Sequence, residues 1–197
     1  QPTIYERCVA HVVKKEHESF FHLDFSKSPI VPIMVEVPAQ YTPRKQVNRN
    51  KIVSIGRLVY FKNYISPLII LLASLRKKGY AFEYHIYGDG ELMEEVQNLI
   101  KKLDAGHYIF LHGSIDYSDF NSIVDDALLF VGMGTSIIES SRQAVPSLQS
   151  IESCQEDATY GWFFDQPGYE VGEQIPGKAS GSYEPYILQA YRSSEGE

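Results

Sequence analysis

Residues 51–63, KIVSIGRLVYFKN, open the part of the chain whose reading decides the fold. A short apolar strand, KIVSIG, ends in Gly56, which lets the backbone leave the strand sharply. Two cations, Arg57 and Lys62, follow within one loop, and Asn63 to Lys78 then reads as a helix that Gly79 ends. Further along, AFEYHIYG (81–88), YIFLHG (108–113), LLFVG (128–132) and VPSL (145–148) read as strands. Glu91 to Leu103, Tyr117 to Asp125 and Thr135 to Gln143 read as the helices between them. Strands alternating with helices at this spacing predict an α/β domain of Rossmann-like form over residues 46–150, a parallel sheet with helices on both faces. Ligands of such sheets bind at the carboxyl ends of the strands, so the turns that follow each strand are where chemistry is sought.

On either side the pattern changes. Residues 28–43, SPIVPIMVEVPAQYTP, carry four prolines and read as an extended linker, so residues 1–45 are expected to be a linker and the end of a preceding domain. VAHVVKKEHESFF, near the start, is open to a helix or a strand. Residues 151–197 are expected to form a partly irregular extension rich in Gly, Ser, Pro and acidic residues, with a short helix and strand allowed in SIESCQEDATYGWFF and flexible chain in GKASGS.

The chain of 197 residues is 44% hydrophobic and 22% charged, an ordinary globular composition that excludes collagen, coiled coil and disorder. Its longest apolar run, Ser66 to Leu75, falls short of the ~20 residues that cross a bilayer. Cys8 and Cys154 stand far apart without metal-ligand spacing, which fits a reducing, cytoplasmic compartment. The net charge of −7 argues against nucleic-acid binding, and all of the excess lies after Gln149. Between Glu36 and Glu83 there is no acidic residue, while nine Lys and Arg fall there, a stretch that suits an anion. At Arg76, Lys77 and Lys78 the reading is a helix end complemented by cations.

Three turns can carry chemistry. Arg57 and Lys62 are open to two readings, a diphosphate clamp or solvated loop cations. In YGDGELMEEV, Gly88, Asp89 and Gly90 read as turn chemistry with Asp89 as an N-cap. In LLFVGMGTSIIE, glycines Gly132 and Gly134 lead into a helix whose first amides can receive a phosphate. Ser136 and Glu139 there also spell a capping box, which competes with a ligand role for Glu139. Tyr60, Phe61 and Tyr64 beside Arg57 can stack on a ligand or pack. The six histidines show no metal spacing, the pairs Asp116/Asp119 and Asp125/Asp126 match a metal motif loosely, and no GxSxG occurs, so neither metal nor hydrolase nucleophile is expected.

In their order, these turns resemble the C-terminal, donor-binding domain of a GT-B glycosyltransferase of family four, the retaining nucleotide-sugar enzymes. The likeness runs from about Lys51 to Ser150. It rests on GRL with a following Lys (Gly56, Arg57, Leu58, Lys62), on Gly88, Asp89 and Gly90, on FLHGSI (Phe110 to Ile115), and on Gly132, Met133 and Gly134 followed by Glu139 and then Val145 and Pro146. The resemblance implies that Arg57 and Lys62 hold the diphosphate and offset charge on the departing nucleotide. It implies that Gly56, Gly88 and Gly132 shape the donor site, and that amides around Gly134, Thr135 and Ser136 receive a phosphate or the sugar. Ser114 and Ile115 would meet the base, and Glu139 would accept hydrogen bonds from the ribose hydroxyls.

The implied reaction is transfer of a hexose or N-acetylhexosamine from a nucleotide diphosphate, a UDP-sugar by expectation, to a glycan or lipid-linked acceptor with retention and without metal or other cofactor. The acceptor would be bound through a missing N-terminal domain, in the cytoplasm or peripherally at the inner face of a membrane, as in polysaccharide and lipopolysaccharide synthesis; the fragment alone would turn over poorly. Two departures stand out: Val131 occupies the place of the family's first glutamate, and Ala144 replaces the usual glycine. A binding module without transfer activity and a sugar-nucleotide epimerase are the alternatives.

Overall fold

Successive side chains of a strand point to opposite faces, so an apolar strand such as IVSI must find a core on each side. The computed structural model describes residues 10–36, 44 and 46–194; Cys8, Lys45 and residues 37–43 of the proline-rich stretch lie outside them. Its strands are β1 (Asn48–Ile55), β2 (Glu83–Tyr87), β3 (Ile109–Gly113), β4 (Ala127–Gly132), β5 (Ser147–Ser150) and β6 (Thr159–Trp162). Its helices are α1 (His11–Phe21), α2 (Ile65–Lys77), α3 (Met93–Lys102), α4 (Phe120–Val124), α5 (Thr135–Arg142) and α6 (Glu184–Ser193).

The strands form one sheet in the order β3-β2-β1-β4-β5-β6, with β1 to β5 parallel and β6 antiparallel to β5. Ile52 of β1 joins Leu68, Leu72 and Leu75 of α2, Val96 and Ile100 of α3 and Ile187 of α6 in the larger core. Val53 and Ile55 face the other way, onto Phe120 and Val124 of α4 and Ile137 of α5. The predicted two-faced Rossmann-like architecture is therefore present.

Three differences from the sequence reading have local causes. β5 begins at Ser147, because Pro146 has no N–H to give a ladder and its carbonyl instead accepts from the Phe130 amide at 2.8 Å. Past Ser150 the chain forms β6, the strand allowed for within SIESCQEDATYGWFF, and then a 3-10 turn at Phe163–Asp165 and α6, a ten-residue helix that the expectation of loops did not include. Tyr183 and Ile187 are fully buried in the main core, and the Ser182 hydroxyl accepts from the Glu184 amide at 3.0 Å at the start of α6. The stretch near the start, left open between helix and strand, is helical as α1, and residues 31–36 that follow form no regular element.

Ala144, just past α5, has φ 56°, and its amide donates to the Ser141 carbonyl at 2.9 Å. This is the left-handed position at which glycine ends a helix without a Cβ penalty. We expect Ala144→Gly to raise the unfolding free energy by about 1 kcal/mol in urea titrations; unchanged or reduced stability would contradict the strain assigned to this position.

Candidate functional site

The first two turns of the sheet are stacked on one another. The Gly56 amide donates to the Tyr87 carbonyl at 2.9 Å, the Leu58 amide to Asp89 at 3.0 Å, and the Leu92 amide returns to the Leu58 carbonyl at 3.0 Å. Gly88, at φ 137°, lies so close that a Cβ would overlap the Gly56 carbonyl oxygen. Its amide is committed to Gly113 at 2.7 Å. Gly56 and Gly88 thus act through the backbone, bracing the loop that carries the two cations. The N-cap expected of Asp89 does not form: its Oδ1 accepts from the adjacent Gly90 amide at 2.7 Å, and α3 starts later, with Leu92 at its cap.

From this braced loop Lys62 reaches across to the turn after β4. Its Nζ lies 3.6 Å from where a side chain would begin on Gly134, a residue at φ 70°, ψ −148° that precedes α5. Arg57 and Lys62 flank the same Phe61 ring, at 5.8 and 5.7 Å. Among the described residues neither cation has a carboxylate partner. Partial burial, and secondarily the Arg57 charge, hold the Lys62 ammonium below its ordinary pKa. Turns one and four therefore meet through Lys62.

The amides at the start of α5 divide. Gly134 donates to the Val171 carbonyl at 2.6 Å, so the phosphate role expected of that amide is taken by the chain itself. The Thr135 and Ser136 amides, the first two of the helix, have no backbone partner among the described residues. Ser136 Oγ donates back to the Met133 carbonyl at 3.1 Å. Gly132 ends β4 beneath this turn, with the Phe130 ring packed where a side chain would stand.

Glu139 does not close a capping box. Its Oε1 accepts from the Tyr117 hydroxyl at 2.7 Å and its Oε2 from Arg142 Nε, and the residue is only 5% exposed. Arg142 also donates from Nη1 to the Glu36 carbonyl at 3.0 Å, tying α5 to the segment that precedes the sheet. Tyr117 comes from the loop after β3, where the Ile115 side chain packs into the smaller core and the amides of Ser114 and Ile115 have no backbone partner among the described residues. Sequence reading missed Tyr117, since nothing near it in the chain points to a partner 22 residues away. Of the aromatics near Arg57, Tyr64 is buried packing at 4% exposure, whereas Tyr60 and Phe61 stand exposed beside the cations.

Other chemistry lies elsewhere. His85 Nδ1 and His112 Nε2 approach to 3.0 Å in a stacked pair on β2 and β3, each held below the ordinary histidine pKa, chiefly by burial. A cavity of about 290 Å³ lined by Val47, Leu128, Pro146, Trp162, Phe164 and Gln189 lies by the amino ends of the strands, the end opposite the cations.

The family model described as "Glycosyl transferases group 1" matches residues 41–150. The chain belongs to this family. No curated protein matches it in sequence. Among solved structures, a point mutant of S. aureus TarM bound to fondaparinux, α-GlcNAc-glycerol and UDP superposes with a TM-score of 0.61 at 20% identity, covering 71% of this chain and 28% of that one. The lipopolysaccharide outer core galactosyltransferase WaaB gives 0.63 at 16% identity, covering 98% and 54%, and the pneumococcal O-GlcNAc transferase GtfA, bound to UDP and GlcNAc, gives 0.59 at 20%, covering 94% and 36%. At these identities the likeness is one of fold, and this group 1 glycosyltransferase chain spans 28–54% of those three chains. Its six-stranded sheet and flanking helices share the fold of the matched parts of those chains.

Gly88→Ala should cost about 3 kcal/mol or more, because backbone rather than a flexible side chain fills the space. Gly106→Ala, with open space around it, should stay within about 0.5 kcal/mol. Equal denaturation midpoints for the two variants would refute the stacking of the first two turns.

Proposed function

We propose that this chain is the donor-binding half of a retaining glycosyltransferase and holds a nucleotide-diphosphate sugar where the first and fourth turns meet. The observation that carries this reading is the approach of Lys62 Nζ to the Gly134 turn, with Arg57 beside it. Two cations with no carboxylate partner among the described residues, one of them beside the turn that leads into the unpartnered Thr135 and Ser136 amides, offer the donors a pyrophosphate needs. As the bond from the sugar to the diphosphate breaks, negative charge grows on the leaving nucleotide. Arg57 and Lys62 then interact more strongly with the transition state than with bound donor. Glu139, buried one turn along α5, is assigned to the ribose hydroxyls, and the open backbone at Ser114 and Ile115 to the base.

UDP is the favoured nucleotide: TarM and GtfA, which share this fold, are seen with UDP. WaaB, an outer core galactosyltransferase of lipopolysaccharide, supports a hexose donor and a glycan or lipid-linked acceptor in surface polysaccharide synthesis. Acceptor binding is assigned to a preceding domain, working in the cytoplasm or against the inner face of a membrane. Among the described residues no helix is long and apolar enough to cross one.

One observation favours a second reading, a binding module without transfer. Val131, where the family has a glutamate, is fully buried in β4 with its carbonyl accepting from Ser54 Oγ at 2.6 Å. Assay of the full-length protein with a panel of labelled donors separates the two readings: turnover establishes the enzyme, and binding without turnover the module.

Calorimetry with UDP and GDP tests the cradle. Arg57→Ala and Lys62→Ala should each weaken binding by roughly ten- to hundredfold, the worth of a charge-assisted hydrogen bond; unchanged affinity in both would place the site elsewhere. Because the Lys62 pKa is lowered in the free chain, a bound diphosphate favours its charged form. Binding at alkaline pH should therefore take up protons, and affinity should fall as pH rises through the depressed Lys62 value. Calorimetry in two buffers of different ionisation enthalpy checks this, and Lys62→Ala should abolish the uptake.

A further inference from the structure

Tyr117 combines two properties that seldom occur together. Its residue is 69% exposed, so little packing holds the ring, yet its hydroxyl donates at 2.7 Å to a carboxylate that is itself almost wholly buried. The other oxygen of that carboxylate is bound by Arg142, a charged partner anchored in turn on the Glu36 carbonyl and, at 3.4 Å, on Asn121 Oδ1. Glu139 is therefore fixed in place and ionically paired on one oxygen, while the second oxygen faces a hydroxyl donor on a lightly held side chain. That is the arrangement of a hydroxyl-binding carboxylate with a stand-in on it. The Tyr117 hydroxyl is held above the ordinary phenol pKa, chiefly by this hydrogen bond, so it remains a donor across neutral pH.

We propose that Tyr117 is a specificity-determining residue whose hydroxyl occupies the ribose subsite of Glu139 in the free chain, and that a nucleotide must displace it with a sugar hydroxyl to bind. The proposal rests on the reading of Glu139 as the ribose acceptor. The exchange is isochemical: one O–H···O⁻ bond breaks and one forms, so no buried acceptor is left unmatched in either state. A ligand without ribose hydroxyls cannot make the exchange and leaves Tyr117 in place. Discrimination then arises from competition within the chain as well as from the contact with the ligand. A binding-competent state populated in only a fraction of molecules raises the apparent dissociation constant by the inverse of that fraction.

The test compares unaltered chain with Tyr117→Phe, which keeps the ring and removes only the hydroxyl. Titrations use UDP and 2′,3′-dideoxy-UDP, or the corresponding guanosine pair if GDP binds more tightly, and circular dichroism with thermal unfolding verifies the fold of the variant. Tyr117→Phe should tighten binding of the ribonucleotide by roughly three- to tenfold, the removal of such a competitor, and leave the dideoxy nucleotide unchanged. Equal gains for both nucleotides would make Tyr117 a steric gate and overturn the exchange. A loss of ribonucleotide affinity, or no change, overturns it equally. If Tyr117→Phe proves unstable, Tyr117→Leu with the same nucleotide pair replaces it under the same criteria. Absence of binding by both chains refutes the nucleotide reading itself and this proposal with it, an outcome distinct from binding that the variant fails to alter.

Discussion

Lys62 is an ammonium drawn partly out of water beside another cation, with no carboxylate partner among the described residues. Desolvation and like-charge repulsion both destabilise that arrangement in the free chain, which is why the Lys62 pKa is lowered. An anion placed between Lys62, Arg57 and the open amides of α5 relieves both costs. Under the proposed reading, this electrostatic cost in the free chain becomes differential affinity for a diphosphate. The remainder of the site is arranged to keep the cations where they are, since freely moving loop side chains would separate and rehydrate.

The restraint comes from backbone packing. Gly88 and Gly90 bring the second turn against the carbonyls of Gly56 and Leu58, and the two loops exchange amide hydrogen bonds through Leu58 and Leu92. The later part of the chain closes the other side: Val171 accepts the Gly134 amide, and the Ser153 amide donates to the Phe61 carbonyl at 2.8 Å. Segments far apart in sequence therefore fix both of the turns that Lys62 links. The Gly134 amide, which local pattern offers to a phosphate, is used instead to hold the turn.

These particulars show where sequence reading succeeds. IVSI, LLFVG and the helical run from Ile65 to Leu75 are buried on predictable faces, so periodicity alone places the sheet and the order of its turns. Convergence of Lys62 on Gly134 follows from that order, because parallel strands put their carboxyl ends together. The capping box failed as a reading because a local spacing cannot show that Arg142 and Tyr117 will compete for the same carboxylate. α6 carried a usable signal: Tyr183, Tyr186, Ile187, Ala190 and Tyr191 recur at helical spacing, and Pro185 suits a first turn. The polar and glycine-rich composition around it concealed the pattern. Tyr117 carried none, since its importance arises only when the loop after β3 meets α5.

Under the proposed reading, Val131 limits which part of a transfer reaction the residues of this chain can serve. It lies inside β4, and only Gly132 to Gly134 separate it from α5, a connection too short to suspend a side chain over the cradle. A carboxylate at Val131 would be enclosed in the core beside the Ser54 hydrogen bond, at several kcal/mol of desolvation. Substituting Glu for Val131 alone would therefore bury a carboxylate inside β4 and cost stability. Under the proposed reading, the groups this chain offers act on the leaving nucleotide, whose charge grows during bond cleavage and whose stabilisation changes most between ground and transition states. On that reading, affinity for a donor in this chain rests on the nucleotide and its diphosphate.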